Sequence, residues 1–270
     1  MPIDFASPSV PDAVLAPELA ILDIPDAPFT DETTFGDAAG SLVVHLGPPC
    51  RFEGDAPRPS GTAYVLGPRA TPFALRTSRR IETLMLRLAA PDLARLLDLR
   101  PAELHGRAFP LDDARPDLAR EVEARLSADL RESARALSTW LTARLRRAPP
   151  VDARVAEALR TLHRRGGAMR VDALGRHLRL HPRTLERLFR RHVGASPKLT
   201  AAILRARTAI RALGAGRRPA SEVATGVGFA DQAHMIRHIH RFAGAPPGEL
   251  LCRPRLGLVS LVPAHVLLGR

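Results

Sequence analysis

The sequence predicts an α+β protein in two parts: a small β-rich N-terminal domain with a helical connector, then a basic all-α domain in which a linker helix joins two helix-turn-helix motifs. Three observations predict it. Short apolar runs separated by Gly and Pro clusters occupy the first third of the chain. Apolar residues at helical spacing dominate from about Pro116 onward. A helix-turn-helix pattern occurs twice, fifty residues apart.

A chain of 270 residues, 45% hydrophobic, is long enough for two domains that each bury a core. Its net charge of +12 is unevenly placed, with 18 basic against 21 acidic residues in 1–150, 19 against 7 in 151–250, and 3 against none thereafter. A positive field confined to one domain suits a polyanionic partner, nucleic acid above all, although acidic membrane surfaces use the same attraction. Cys50 and Cys252 are far apart, which suggests neither a disulfide framework nor a zinc motif and fits a reducing compartment. The N-terminus lacks a signal-peptide pattern and no apolar run approaches the ~20 residues of a membrane helix, so a cytoplasmic chain without membrane association is expected.

Residues 1–28 are rich in proline and acid and carry no sustained period, so a flexible lead-in is expected. From 29 to 148 a regulatory domain with connector helices is expected. The runs SLVVHLG, GTAYVLG and RIETLMLRL read as its strands. Pro91 to Leu97, a PAEL turn after Arg100, and one or two helices between Pro116 and Arg147 follow. The stripe containing Leu137, Trp140, Leu141 and Leu145 either covers the β-part or pairs with a second copy of the chain. RRAPP at 146–150 breaks the helix and serves as a linker. A DNA-binding domain is expected over 151–253. In it, Asp152 to His163 forms a helix, and Ser196 caps another that starts at Pro197 and runs to about Leu213. Residues 254–270 form an apolar tail broken by Pro263, which either packs on a neighbour or is partly ordered.

The first motif is VDALGRHLRLHPRTLERLFRRHVG, from Val171 to Gly194. Its second helix begins at His181 or Pro182 and is stopped by Gly194. Leu185, Leu188 and Phe189 should pack on Leu174 and Leu178, leaving Arg183, Glu186, Arg187 and Arg190 on the opposite side. Guanidinium forks on such a side suit guanine O6 and N7 or a phosphate, yet in isolation an arginine-rich face reads first as a solvated surface. The repeat decides between them. Leu185, Arg187, Phe189, Gly194 and Pro197 meet Met235, Arg237, Ile239, Gly244 and Pro247 fifty residues on. One helix of about 18 residues between two such units would hold them roughly 27 Å apart at 1.5 Å per residue. Successive major-groove faces of B-DNA lie about 34 Å apart, so tilt or DNA bending would let one chain read two of them.

RTLERLFRRHVGASP and VATGVGFADQAHMIRHIHRFAGAPPGEL resemble the two helix-turn-helix motifs of AraC/XylS-type transcriptional regulators over about residues 152–253. The Gly228-Phe229 pair and the closing G-x-x-P from Gly244 to Pro247 belong to the resemblance. Ile239, Gly175 and the Leu250-Leu251 pair depart from the family pattern. The run from Leu86 to Ala114 is similar to part of the N-terminal sensory region of some of these regulators, in which a cupin-like β-domain precedes the helices. The resemblance implies base-facing positions at Arg183, Glu186 and Arg187, and at Gln232, Ala233, Ile236 and Arg237. Thr184, Arg190, Arg191, His234, His240 and Arg241 complete the expected DNA-binding set. Promoter DNA is the implied partner; RNA polymerase, a small-molecule effector at the N-terminal domain and a second copy of the chain are further expected ones. No cofactor and no metal is expected, the effector site is not assigned, and the protein is expected not to be an enzyme. Two other readings stay open: a low-specificity DNA-architectural protein, and a metal-dependent hydrolase using His234, His238 and His240. His45 reads as strand packing and Cys50 as a loop thiol.

Overall fold

The computed structural model describes residues 3–6, 13–26, 31–48, 51–52, 63–76 and 79–252. Cys50 and the apolar tail, expected respectively as a loop thiol and a docked or partly ordered segment, lie outside the described residues.

The strands in chain order are β1 (Ile3–Ala6), β2 (Glu18–Ile24), β3 (Asp31–Thr34), β4 (Ala39–His45), β5 (Arg51–Phe52), β6 (Ala63–Leu66), β7 (Phe73–Arg76), β8 (Ile81–Ala89) and β9 (Ala108–Pro110). They form a six-stranded antiparallel sheet, ordered β1-β2-β8-β4-β6-β9, and a three-stranded sheet, β3-β7-β5. The three runs read from sequence are β4, β6 and β8. Residues 18–24, expected in a flexible lead-in, instead form β2, paired along its whole length with β8. The reason is physical: β2 is covered on both faces, so it lacks the polar alternation that marks a half-solvated strand.

The two faces of the large sheet serve different cores. Leu19, Leu42, Val44, Leu84, Leu86 and Leu88 point to one side, against Leu93 and Leu97 of α1 (Ala90–Leu97). Between α1 and the connector come α2 (Pro101–Leu104), α3 (Leu111–Ala114) and α4 (Pro116–Glu123). The connector α5 (Leu130–Arg147) is capped by Asp129, which accepts from Glu132 N at 2.8 Å. Its stripe of Leu137, Trp140, Leu141 and Leu145 is buried in this same core, which settles the choice left open above: the stripe covers the β-part. Glu121 ties α4 to α5 by accepting from Trp140 Nε1 at 2.7 Å and Arg144 at 3.0 Å. The helix ends before the exposed Pro149 and Pro150.

The all-α part then follows as α6 (Ala153–Arg164), α7 (Val171–His177), α8 (Pro182–His192), α9 (Pro197–Gly214), α10 (Ala220–Val227), α11 (Gln232–Ala243) and α12 (Pro247–Leu251). Local chemistry sets the ends. Asp152, Ser196 and Asp231 each cap a helix by accepting a backbone N–H, and Pro182, Pro197 and Pro247 stand in first turns, where the missing N–H costs nothing. Among the described residues no helix is long and apolar enough to cross a membrane.

The second face of the large sheet carries Ala20, Leu22, Ile24 and Ile81. They share a core with Ile210 of α9, Val223 of α10, Ile239 of α11 and Leu250 of α12. Val14, Ala38, Ala89 and Ala90 join Val155, Leu159, Leu174, Leu185 and Phe189 in another. The β-part is thus packed against both helix-turn-helix units.

Candidate nucleic-acid interface

The two units are built alike, position by position. Leu185 and Met235 are buried, as are Phe189 and Ile239, and these pairs anchor α8 and α11 to their own cores. Gly194 and Gly244 follow with φ of 76° and 79°, the left-handed conformation that ends each helix without Cβ strain. Leu180 N donates to Gly175 O at 2.9 Å across the first turn, and Phe229 N donates to Ala224 O at 2.9 Å across the second. The sequence repeat is therefore a repeat of backbone geometry.

That geometry sorts the expected DNA-binding residues. Arg183, Arg187, Arg190 and Arg191 are exposed on α8, with Thr184 and Glu186 half-buried beside them. Glu186 Oε1 accepts from Arg190 Nε at 3.3 Å, one helical turn on. Among the described residues, Arg183, Arg187 and Arg191 have no ion pair or side-chain hydrogen bond, so their donors face solvent. Pro182, Arg183, Glu186 and Arg187 line an open hollow alongside α8. On α11, Gln232, Ala233, Arg237, His240 and Arg241 are exposed, and His234 and Ile236 are half-buried. The second surface is poorer in long hydrogen-bonding side chains. All thirteen residues lie on the two corresponding helices, at either end of the 18-residue α9.

The turn before α8 holds a feature that sequence reading missed. Arg179 has φ of 54°, and its counterpart in the second turn is Gly228 at 84°. The signal was available in the repeat, where glycine stands at one copy and arginine at the other. A left-handed conformation costs a non-glycine residue about 1–2 kcal/mol, offset by about 0.4–1 kcal/mol from glycine's looser unfolded chain. Arg179→Gly is therefore expected to leave stability unchanged or raise it by up to about 1.5 kcal/mol in thermal unfolding. A loss greater than that would mean the arginine side chain holds the turn.

The histidines do not gather into a metal site. His234 and His238 stack edge to face with centroids 4.8 Å apart, between Phe229 and Phe242. Burial lowers the His238 pKa, and the neighbouring His234, Arg205, Arg241 and Arg237 push the same way, so the ring is held neutral. Among the described residues no group of three His, Cys, Asp or Glu is placed to hold a metal ion. His45 is a strand residue, as expected: Nδ1 lies 2.9 Å from Thr83 Oγ1, and burial pushes its pKa down to about 4.

Sequence reading also missed a buried charge cluster between the β-part and α9. Asp37, just before β4, takes Arg87 Nε and Nη2 at 2.8 and 2.9 Å, and Arg207 Nη1 at 2.9 Å. Asp37 Oδ1 also accepts from Ala39 N at 3.0 Å. Burial would raise the Asp37 pKa, but the Arg207 and Arg87 charges outweigh it and hold the carboxyl well below its ordinary range. Arg87, which also reaches Glu18 at 3.1 Å, is shifted up by these carboxylates against the pull of burial. Arg207, with one contact to Asp37, is pushed down by burial to about 9 and remains a cation at neutral pH. None of these residues falls in a motif, and only the fold brings positions 37, 87 and 207 together.

Comparison with known proteins bears on the helical part first. Residues 174–253 match the family described as a helix-turn-helix domain. No curated protein matches the chain. Among solved structures, ToxT from Vibrio cholerae O395 is similar with a TM-score of 0.47 and 10% identity, covering 87% of this chain and 96% of that one. Unsaturated fatty acid-bound ToxT from Vibrio cholerae strain SCE256 is similar at 0.47 and 12% identity, over 87% and 94% of the two chains. The AraC-like transcriptional activator CuxR is similar at 0.20 and 14% identity, over 64% and 66%.

Proposed function

We propose that the protein, whose residues 174–253 match a helix-turn-helix domain family and resemble the AraC type, is a sequence-specific transcriptional regulator that inserts α8 and α11 into two consecutive major grooves of promoter DNA. One observation carries this reading. Two helices of matching construction, each with an outward arginine, stand at the two ends of a single linker helix in the most basic part of the chain. The extents taken for this function are 29–148 for regulation and 151–253 for DNA binding, with 254–270 as a tail.

The heads divide the work by their chemistry. Arg183 and Arg187 can each present a fork to guanine O6 and N7, whereas Gln232 suits adenine or a phosphate. Ala233 and Ile236 offer a thymine methyl only apolar contact. The first head therefore carries more of the discrimination, and the second positions the chain, with Arg190, Arg191, His240 and Arg241 directed at the backbone. Arg187→Ala is expected to cost about 1–3 kcal/mol at one base pair and to relax preference there, whereas Arg191→Ala weakens all sequences alike. Affinities measured on a set of single-base-pair variants of the site check this. Equal losses on every duplex would remove Arg187 from the base-reading role.

Selection from random duplexes tests the reading as a whole. An asymmetric motif spanning two grooves supports the regulator, and the absence of any motif supports the low-specificity architectural alternative. The reading is of a cytoplasmic protein that is not an enzyme; metal retained through purification at a fixed ratio would favour the hydrolase alternative instead. RNA polymerase and a second copy of the chain are proposed partners. A small effector is a further proposed partner, and the cleft of about 360 Å³ between the end of the connector α5 and the start of α6 is proposed to take it. Arg95, Arg146 and Arg160 line that cleft, which suits an anionic ligand.

A further inference from the structure

The β-part grips the DNA-binding part at three places. At the first head, Gly194 lies so close to α2 that an added Cβ would be 2.6 Å from Pro101 O. Nearby, Arg160 Nε of α6 donates to Val14 O at 3.1 Å. At the second head, Gly36 N donates to Phe242 O, in the last turn of α11, at 2.6 Å. Between them, Arg207 stands near the middle of α9 and donates to Asp37. Arg183, Arg187, Gln232 and Arg237 nonetheless remain exposed, so the grip covers neither reading surface.

The kinds of contact differ in what they fix. Apolar seams tolerate small slides with little change in buried area, because the hydrophobic effect has no direction. A buried carboxylate shared between two guanidiniums tolerates none, since displacement strands charge away from water. Side-chain exposures of 10% for Asp37, 10% for Arg87 and 9% for Arg207 place the pairing inside that regime. Asp37 is itself pinned to the β-part. Its backbone exchanges hydrogen bonds with Arg69 at 2.8 and 2.7 Å, and its side chain takes the Arg87 fork. Of the residues hydrogen-bonded in this cluster, Arg207 belongs to the other part, and His163 of α6 lies close enough to feel its charges. The spacing of the heads also leaves little slack: an 18-residue helix spans about 27 Å, short of the ~34 Å between successive major-groove faces. A tilt of one head relative to the other, or a bend in the DNA, must supply the difference, and a brace on α9 bears on the first.

We infer that the Asp37–Arg207 pair is a positioning device: it locks the β-part onto α9 as a brace that fixes the tilt of the two heads, and so sets the half-site spacing the protein accepts. This rests on the two-head reading above. Neither residue touches DNA; both act through the helices they hold.

The experiment uses the full chain and duplexes carrying the selected half-sites at spacings from two base pairs shorter to two longer than the selected one. The native protein is expected to lose about tenfold or more in affinity for each base pair of change, because each shifts the heads by about 3.4 Å along the DNA and about 35° around it. Arg207→Met, which keeps the stem and removes the charge, is expected to flatten that profile to about threefold while leaving base preference within each half-site unchanged. Arg207→Lys restores a charge and is expected to restore most of the steepness. If Arg207→Met does not fold, Arg207→Gln, which removes the charge but keeps a donor for Asp37, takes its place with the same expectation. A profile as steep as the native one in a folded variant overturns the brace. Tighter binding at every spacing also overturns it, because docking would then oppose DNA binding rather than shape it. A native footprint of one groove overturns the two-head reading, which the spacing profile alone would not reveal.

Discussion

Affinity for DNA is expected to fall by about three orders of magnitude as salt rises from about 50 to about 200 mM, the consequence of about six phosphate contacts each releasing condensed counterions. The cations for such contacts are present around both heads. Residues 151–250 hold 19 basic against 7 acidic side chains. Several of the acids are already engaged locally: Asp152 with Arg154, Glu157 with Arg164, Asp172 with Arg170 and Glu186 with Arg190. The arginines of these pairs are exposed and the pairs are therefore weak, so a phosphate can compete for them. Titrations at four or five salt concentrations give the number of contacts directly, from a slope of about −0.9 per phosphate in log K against log salt. A slope shallower than about −2 would mean that the positive surface does not meet a DNA backbone. Replacing Arg191 should reduce the slope by about one, whereas replacing Arg187 should alter base preference as well.

Asp37→Ala is expected to destabilise the protein by about 3–5 kcal/mol at pH 7, because it removes the carboxylate that two buried guanidiniums share. Against a typical total of about 5–15 kcal/mol, this is enough to populate unfolded chains. The pH dependence has a definite sign. A carboxyl held below its ordinary value when folded contributes stability above its unfolded value of about 3.9, and that stability is lost as pH falls. The native and variant proteins should therefore converge as the solution is acidified below pH ~4. Urea unfolding at pH 7 and at pH 3 measures both gaps. A variant within about 1 kcal/mol of the native chain at pH 7 would show that Glu18 and water together replace Asp37.

The sequence was most legible where one element decides its own structure. α8, α9 and α11 were readable because capping residues, first-turn prolines and closing glycines sit at fixed offsets, and because the same offsets occur twice. The outward arginines followed from the 3.6-residue period. β2 was illegible for the opposite reason: a strand covered on both faces has no alternation, and the acids and prolines around it read as loop. Asp37 and Arg207 were illegible because their meaning depends on each other across 170 positions, and nothing local to either marks the pairing. Arg179 lay between these cases. Its strain is invisible in its own turn and apparent only beside Gly228.

The two-faced sheet has a consequence for how the chain can change. Along β8, Leu84, Leu86 and Leu88 belong to the core of the β-part, while Ile81, Met85 and Arg87 face the DNA-binding helices. Neighbouring residues on one strand therefore answer to different masters, and the effect of a substitution is sorted by odd or even position. An altered even position disturbs first the core between the sheet and α1, and an altered odd one the core shared with α9 to α12. The strand works as a party wall: parting the helical half from this sheet would uncover the apolar surface that Ile210 and Ile239 share with Leu22 and Ile81.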